Sequence, residues 1–267
     1  MHIVVCIKQV PNPDTALRMF SIDEQASRIV PVAGVQLVMS PFDEQAVDAA
    51  LRIRESLGAA KITAVSIGPD SARNALKHAL AMGADEAVLV SDPALEDAAP
   101  ETTAYALSRV IAGLGEVDLV LAGRQAADTD AGIVGCGVGE LLGLPVVTFA
   151  CKVEVSGGTA RVERVLADGT ETIEVDLPAV VTVSNEIGAA RAPSLRETMR
   201  AARKPLALRA AADVGVEPDT LARYAAVRAR ERMFFPEKED RCEIIEGADE
   251  TAQAHALASR LREARLV

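Results

Sequence analysis

The chain has 267 residues, 49% hydrophobic but only 3% aromatic, so a large core is possible but must be built from Ala, Val, Leu and Ile. A net charge of −11 argues against nucleic acid and anionic membrane surfaces as partners, while leaving a basic protein partner open. No apolar run approaches the roughly 20 residues of a membrane span, the opening Met1-His2-Ile3-Val4-Val5 is not that of a signal peptide, and Cys6, Cys136, Cys151 and Cys242 are scattered as reduced thiols would be, so a cytoplasmic protein without a metal site is expected.

Residues 3–7 are a short apolar run ending at Lys8, Gln9 and Pro11, which reads as a buried strand. A polar excursion follows, with residues 17–22 and 28–31 as a hairpin. Ser40-Pro41-Phe42-Asp43 then announces a helix: Ser40 as cap, Pro41 in the first position, and Asp43 three residues on, as in a capping box. Ala46, Ala50, Ile53 and Leu57 keep helical spacing, and Gly58 closes the helix. The pattern repeats with strands at 62–67, 87–90, 119–122 and 146–149 and helices at 71–82, 102–114 and 135–142. Strands alternating with helices imply crossovers and a parallel sheet. From residue 150 the texture changes. Short alternating runs at 152–155, 161–165 and 172–175, separated by Ser156-Gly157-Gly158 and Asp168-Gly169, read as antiparallel hairpins, and 179–183 returns to a buried strand. Beyond about Ala202 the chain loses the look of a core and ends in an amphipathic stretch at 249–265, with Ala252, Ala256, Leu257 and Leu261 on one face. The expectation is an α/β domain at 1–203, with an open, mostly parallel, doubly wound sheet and an antiparallel addition, followed by an extended arm at 204–267. An arm bearing Phe234, Phe235, Ile244 and Ile245 is expected to pack on another chain.

In such a sheet, ligands bind beyond the carboxyl ends of the strands, at helix N-termini. Four segments fall there: 6–10, 40–43, 67–69 and 123–134. The last reads Gly123-Arg124-Gln125-Ala126-Ala127-Asp128-Thr129-Asp130-Ala131-Gly132-Ile133-Val134, a polar, glycine-bearing loop between a strand and a helix. Its amides suit a phosphate, and Thr129 can donate to one; the competing reading is a long solvated connection. Asp128 and Asp130 repel a phosphate, which leaves them a ribose hydroxyl, a helix cap or the orientation of Arg124 as roles. The loop is neither a Walker A motif nor a dinucleotide fingerprint. No catalytic constellation can be assembled, and His2, His78 and His255 read as surface or terminal residues.

With these segments together, the chain resembles the beta subunit of electron transfer flavoproteins over nearly its whole length. The match is carried by Val4-Val5-Cys6-Ile7-Lys8-Gln9-Val10-Pro11 with Asp14-Thr15, by Ser40-Pro41-Phe42-Asp43-Glu44, and by Ala79-Leu80-Ala81-Met82-Gly83-Ala84-Asp85. It continues through the 123–134 loop with Gly135 and Glu140-Leu141-Leu142-Gly143-Leu144-Pro145, through Glu163-Arg164 to Leu177-Pro178-Ala179-Val180, and through Pro193-Ser194-Leu195 to Lys204. The resemblance implies a fold of adenine nucleotide alpha hydrolase type. It implies an adenine nucleotide, AMP or a second FAD, held by Cys6, Ser40, Pro41, Phe42, Asp43, Ile67, Leu119 and 123–134. It also implies an alpha subunit that carries the redox FAD, with this chain closing one side of it. Leu195 matches the residue that anchors partner dehydrogenases.

There are departures. Ala190-Arg191-Ala192 stands where the family usually has Pro-Arg-Tyr, and Asp128-Thr129-Asp130 where AMP-binding members have three acidic residues. The start of the chain, with Cys242-Glu243-Ile244-Ile245-Glu246-Gly247, looks like the bifurcating and nitrogen-fixation-associated branch, which favours FAD. The expected role is an electron carrier between dehydrogenases, of acyl-CoA or NADH-linked type, and a quinone oxidoreductase or ferredoxin-type acceptor. The rivals are a stand-alone ATP-binding regulatory or stress-type module, and a hydrolase using Asp128 and Asp130.

Overall fold

The chain enters the fold through β1 (His2–Cys6), whose residues alternate between two cores: Ile3 and Val5 face one side of the sheet, Val4 and Cys6 the other. Burial on both faces is what a strand covered by helices on each side requires. The computed structural model describes residues 1–25, 27–228, 230–236 and 242–267. After β1 come β2 (Gln9–Pro11), β3 (Phe20–Asp23), β4 (Arg28–Pro31), β5 (Leu37–Met39) and α1 (Pro41–Leu57). The expected hairpin forms from β3 and β4, while β2 pairs with β5, a ribbon too short to leave a sequence signature. The alternating part follows: β6 (Lys61–Ile67), α2 (Arg73–Met82), β7 (Glu86–Val90), α3 (Pro100–Ala112), β8 (Leu119–Gly123) and α4 (Val134–Leu142). Then come β9 (Val146–Ser156), β10 (Thr159–Leu166), β11 (Gly169–Asp176), β12 (Ala179–Val183), α5 (Leu195–Arg203), β13 (Ala207–Arg209), α6 (Pro218–Ala225) and α7 (Glu250–Glu263).

Among the described residues, one nine-stranded sheet has the order β11-β10-β9-β12-β8-β1-β6-β7-β13. All pairings from β9 to β13 are parallel, and β10 and β11 add an antiparallel meander at one edge. The chain leaves β1 toward β6 and β7, then returns to the other side of β1 with β8, so the strand order reverses between β1 and β8. That reversal opens a crevice at the carboxyl edge. Helices α1, α2 and α5 cover one face; α3, α4 and α6 cover the other. Helix α4 lies very close to the sheet because a Cβ at Gly139 would sit 2.1 Å from Val146.

Two features were not foreseen. Strand β9 runs unbroken through residue 150, where two separate strands were expected. Its register against β12 shifts beside Phe149, which takes a left-handed φ of 60° and spends the extra residue as a bulge. Residues 207–225 also return to the sheet, so the packed body reaches past residue 203: β13 pairs with β7, and Ala211, Val216 and Leu221 are buried near α3. Tyr224 stacks on Tyr105 with ring centroids 5.2 Å apart. By contrast, α7 buries none of its residues within this chain.

Candidate functional site

The four segments expected at the carboxyl edge are brought together around the β1/β8 reversal. The junction is Asp43. Its carboxylate accepts from the Lys8 N–H at 2.7 Å and from the Gly123 N–H at 3.1 Å, tying the ends of β1 and β8 to the first turn of α1. This corrects the capping-box reading: Asp43 serves two strand ends, and the Ser40 side chain makes no cap hydrogen bond. Gly123 is required because a Cβ there would lie 2.6 Å from the Asp43 carboxylate. Burial pushes the Asp43 carboxyl up to about 7, against the pull of its two N–H donors and of Lys8 and with a further push from Asp128. Burial, with the Asp43 charge, raises the Cys6 thiol to about 12, so Cys6 is a packing residue at the crevice floor.

Ser40 is fixed by its N–H donating to the Lys8 carbonyl at 3.0 Å. Its hydroxyl is fully buried and has no hydrogen-bond partner among the described residues. On the β6 side, the Ser71 hydroxyl donates to the Gln9 side chain at 2.7 Å, and the Gln9 amide returns a bond to the Ser71 carbonyl at 2.8 Å. Ile67 and Gly68 therefore sit beside the β1 exit.

The 123–134 loop begins with a turn in which the Asp130 N–H reaches the Ala126 carbonyl at 2.9 Å. Lys8 Nζ binds both Asp128 oxygens at 2.8 Å, and Gln125 donates to Asp130 at 2.6 Å. Neither carboxylate orients Arg124, as had been considered. Ser184 holds that side chain at 3.2 Å, and its guanidinium lies 5.2 Å from the Phe42 ring centre and 5.7 Å from that of Phe149. The Ser184 hydroxyl, and more weakly Arg124, keeps the Glu186 carboxyl below its usual range. The remainder of the loop turns through Asp130 and Gly132, both at positive φ, into α4. Along this stretch the N–H groups of Ala131, Gly132, Ile133, Val134, Gly135 and Cys136 have no acceptor among the described residues. Free amides at a helix start suit a phosphate-bearing ligand.

Leu119 is fully buried at the opposite end of β8, four residues and about 13 Å from Gly123 by strand rise, and so stands away from the crevice. Pro41 and Phe42 are in the first turn of α1 at its mouth. Sequence reasoning missed Phe149, Ser184 and Glu186; nothing local distinguishes a Phe at positive φ from an ordinary strand residue.

Leu195 opens α5 and is 77% exposed, so it does no packing within this chain. A capping box fixes it: Ser194 accepts from the Glu197 N–H at 3.3 Å, and Glu197 accepts from the Ser194 N–H at 2.7 Å.

Comparison with known proteins places the chain in a family. The model of the electron transfer flavoprotein domain matches residues 29–214. The chain is 36% identical over 263 residues to the electron transfer flavoprotein subunit beta of Clostridium acetobutylicum, covering 98% of each chain. It is 34% identical over 267 residues to the caffeyl-CoA reductase-Etf complex subunit CarD of Acetobacterium woodii, covering 100% of each. It is 32% identical over 269 residues to the protein FixA of Azorhizobium caulinodans, covering 98% of this chain and 94% of that one. The chain belongs to the electron transfer flavoprotein family, as a member of its beta-subunit side.

Proposed function

We propose that this chain, in the cytoplasm, pairs with an alpha subunit to form a FAD-containing heterodimer that carries electrons from a dehydrogenase to a quinone oxidoreductase or ferredoxin-type acceptor. Its own crevice holds an adenine nucleotide, and the resemblance of Lys8-Gln9-Val10-Pro11 and Cys242-Glu243-Ile244-Ile245-Glu246-Gly247 to the bifurcating branch favours FAD over AMP there. The observation that carries the reading is the run of acceptor-free amides of 131–136 at the start of α4, with the buried, unpartnered Ser40 hydroxyl at the head of α1. The residues present fit a nucleotide: the amides would hold phosphate, Thr129 would turn to it from the long 3.4 Å bond its hydroxyl donates to Asp128, and Ser40 would bond the ligand. A flavin bound there supplies two-electron acceptance and one-electron release. The chain contributes binding, the exclusion of water at the crevice floor, and a cation, Arg124, fixed between two rings. Leu195 meets the dehydrogenase, and the segment beyond 225, with α7, lies on the alpha subunit.

The test is co-expression with the alpha subunit, denaturation, and a count of the released flavin and AMP. Two FAD per heterodimer supports the reading with FAD in this crevice, whereas one FAD with one AMP keeps the heterodimer and overturns FAD there. A stable heterodimer that releases no nucleotide attributable to this chain overturns it.

A further inference from the structure

We propose that Arg191 is the positioning residue of the docking segment: clamped to the outer face of α1 by Asp48 and Glu55, it sets where Leu195 is presented to a redox partner. The inference rests on the reading of Leu195 as a docking anchor.

The segment that delivers Leu195, Ser184-Asn185-Glu186-Ile187-Gly188-Ala189-Ala190-Arg191-Ala192-Pro193-Ser194, packs on the core only through the buried Ser184 and the half-buried Ile187 and Ala190. Such a segment needs outside support to hold one conformation. The support comes from α1. Gln45 donates to the carbonyls of Gly188 at 3.2 Å and Asn185 at 3.5 Å, and Arg52 to those of Ile187 at 3.1 Å and Ala189 at 3.4 Å. These contacts end at Ala189. Between there and the capping box at Ser194, Arg191 is the side chain that grips α1 among the described residues. Its Nε meets Asp48, while its two terminal nitrogens straddle Glu55 at 2.5 and 3.2 Å. The far end of α5 has its own mount: Lys77 Nζ donates to the carbonyls of Ala201 and Ala202 at 3.1 Å, and Lys204 Nζ to that of Ala84 at 2.9 Å. Helix α5 is thus held at both ends and left exposed at Leu195 and Met199.

The clamp differs from an ordinary surface pair. The Asp48 side chain is 3% exposed and shared with Arg52 at 2.6 Å. A planar fork bridging two carboxylates is work a lysine cannot do, since its single ammonium offers no fixed pair of directions. The sharing also makes the test clean. Loss of Arg191 leaves Asp48 paired with Arg52, so the fold survives and only the segment is released.

The experiment uses the heterodimer as wild type, Arg191→Gln, Arg191→Lys, Glu55→Gln and Leu195→Ala. Hydrogen exchange of residues 186–194 is read alongside KM and kcat with an acyl-CoA dehydrogenase as electron donor. Arg191→Gln is expected to speed exchange in 186–194 and raise KM for the dehydrogenase about tenfold. Flavin content, melting temperature and kcat should stay at wild-type values. Arg191→Lys falls between, and Glu55→Gln, which keeps Asp48, has a smaller effect. Leu195→Ala raises KM without loosening the segment, which separates anchor from mount. Unchanged exchange in Arg191→Gln overturns the proposal, as does an unchanged KM while Leu195→Ala raises it. If Leu195→Ala leaves KM unchanged, the docking reading itself fails.

Discussion

At the scale of single residues, Asp43 and Ser40 make opposite demands on the crevice. Asp43 is buried with both oxygens committed to backbone N–H groups of different strands. An Asn in its place keeps one acceptor and turns an amide N–H toward the other donor, so Asp43→Asn is expected to cost about 1–3 kcal/mol in chemical denaturation. The sign of the pH effect follows from the raised value. The unfolded carboxyl ionises near 3.8, whereas the folded one holds its proton to about 7. Between those values the native state binds the extra proton, so the contribution of Asp43 to stability falls as pH rises through that window and is constant above it. Denaturation midpoints from pH 4 to 7 should flatten in Asp43→Asn; an unchanged slope would place the titration elsewhere. Ser40 contributes no side-chain hydrogen bond to the fold, since its hydroxyl bonds to no described residue. Ser40→Ala is therefore expected to leave the denaturation midpoint nearly unchanged while lowering the nucleotide recovered from the heterodimer. Equal recovery would show that the hydroxyl does not touch the ligand.

At the scale of elements, α1 joins two sites. Its 17 residues span about 25 Å, with the proposed nucleotide crevice at its first turn and the proposed docking segment along its exposed flank. Its start was plain from Ser40-Pro41 and its end from Gly58. Helices α2, α3 and α4 also lie within two residues of the expected limits, because glycines and prolines punctuate this chain heavily. What stayed hidden depends on partners distant in sequence. Ala207–Arg209 is a strand only because β7 offers it an edge, and Phe149 leaves the ordinary backbone region only because β9 must serve a parallel and an antiparallel neighbour. The destination of Asp43 was hidden for the same reason: local spacing suggested a cap, and the strand ends that claim the carboxylate are 35 and 80 residues away. Helix α4 shows how strictly the elements fit. Gly139→Ala must displace Val146 and should destabilise the chain by about 1–3 kcal/mol, readable as a fall in melting temperature.

At the scale of the whole molecule, the stretch after α5 divides by burial. Leu221 is 9% exposed, and Leu221→Ala should cost about 2 kcal/mol or more. A chain ending at residue 203 strips β13 and α6 from the second core and is expected to lose cooperative unfolding. One ending at 226 keeps both, and should melt like the full chain while failing to hold the alpha subunit. Equal melting of the two truncations would show that residues 207–225 add nothing to the core.

The two outermost strands have a further consequence. Strand β11 lines one rim with Glu171, Glu174 and Asp176, and β13 ends the other after three residues. One rim carries clustered negative charge and the other is too brief to template a neighbour's backbone. Both rims therefore disfavour sheet-to-sheet growth between copies of this chain.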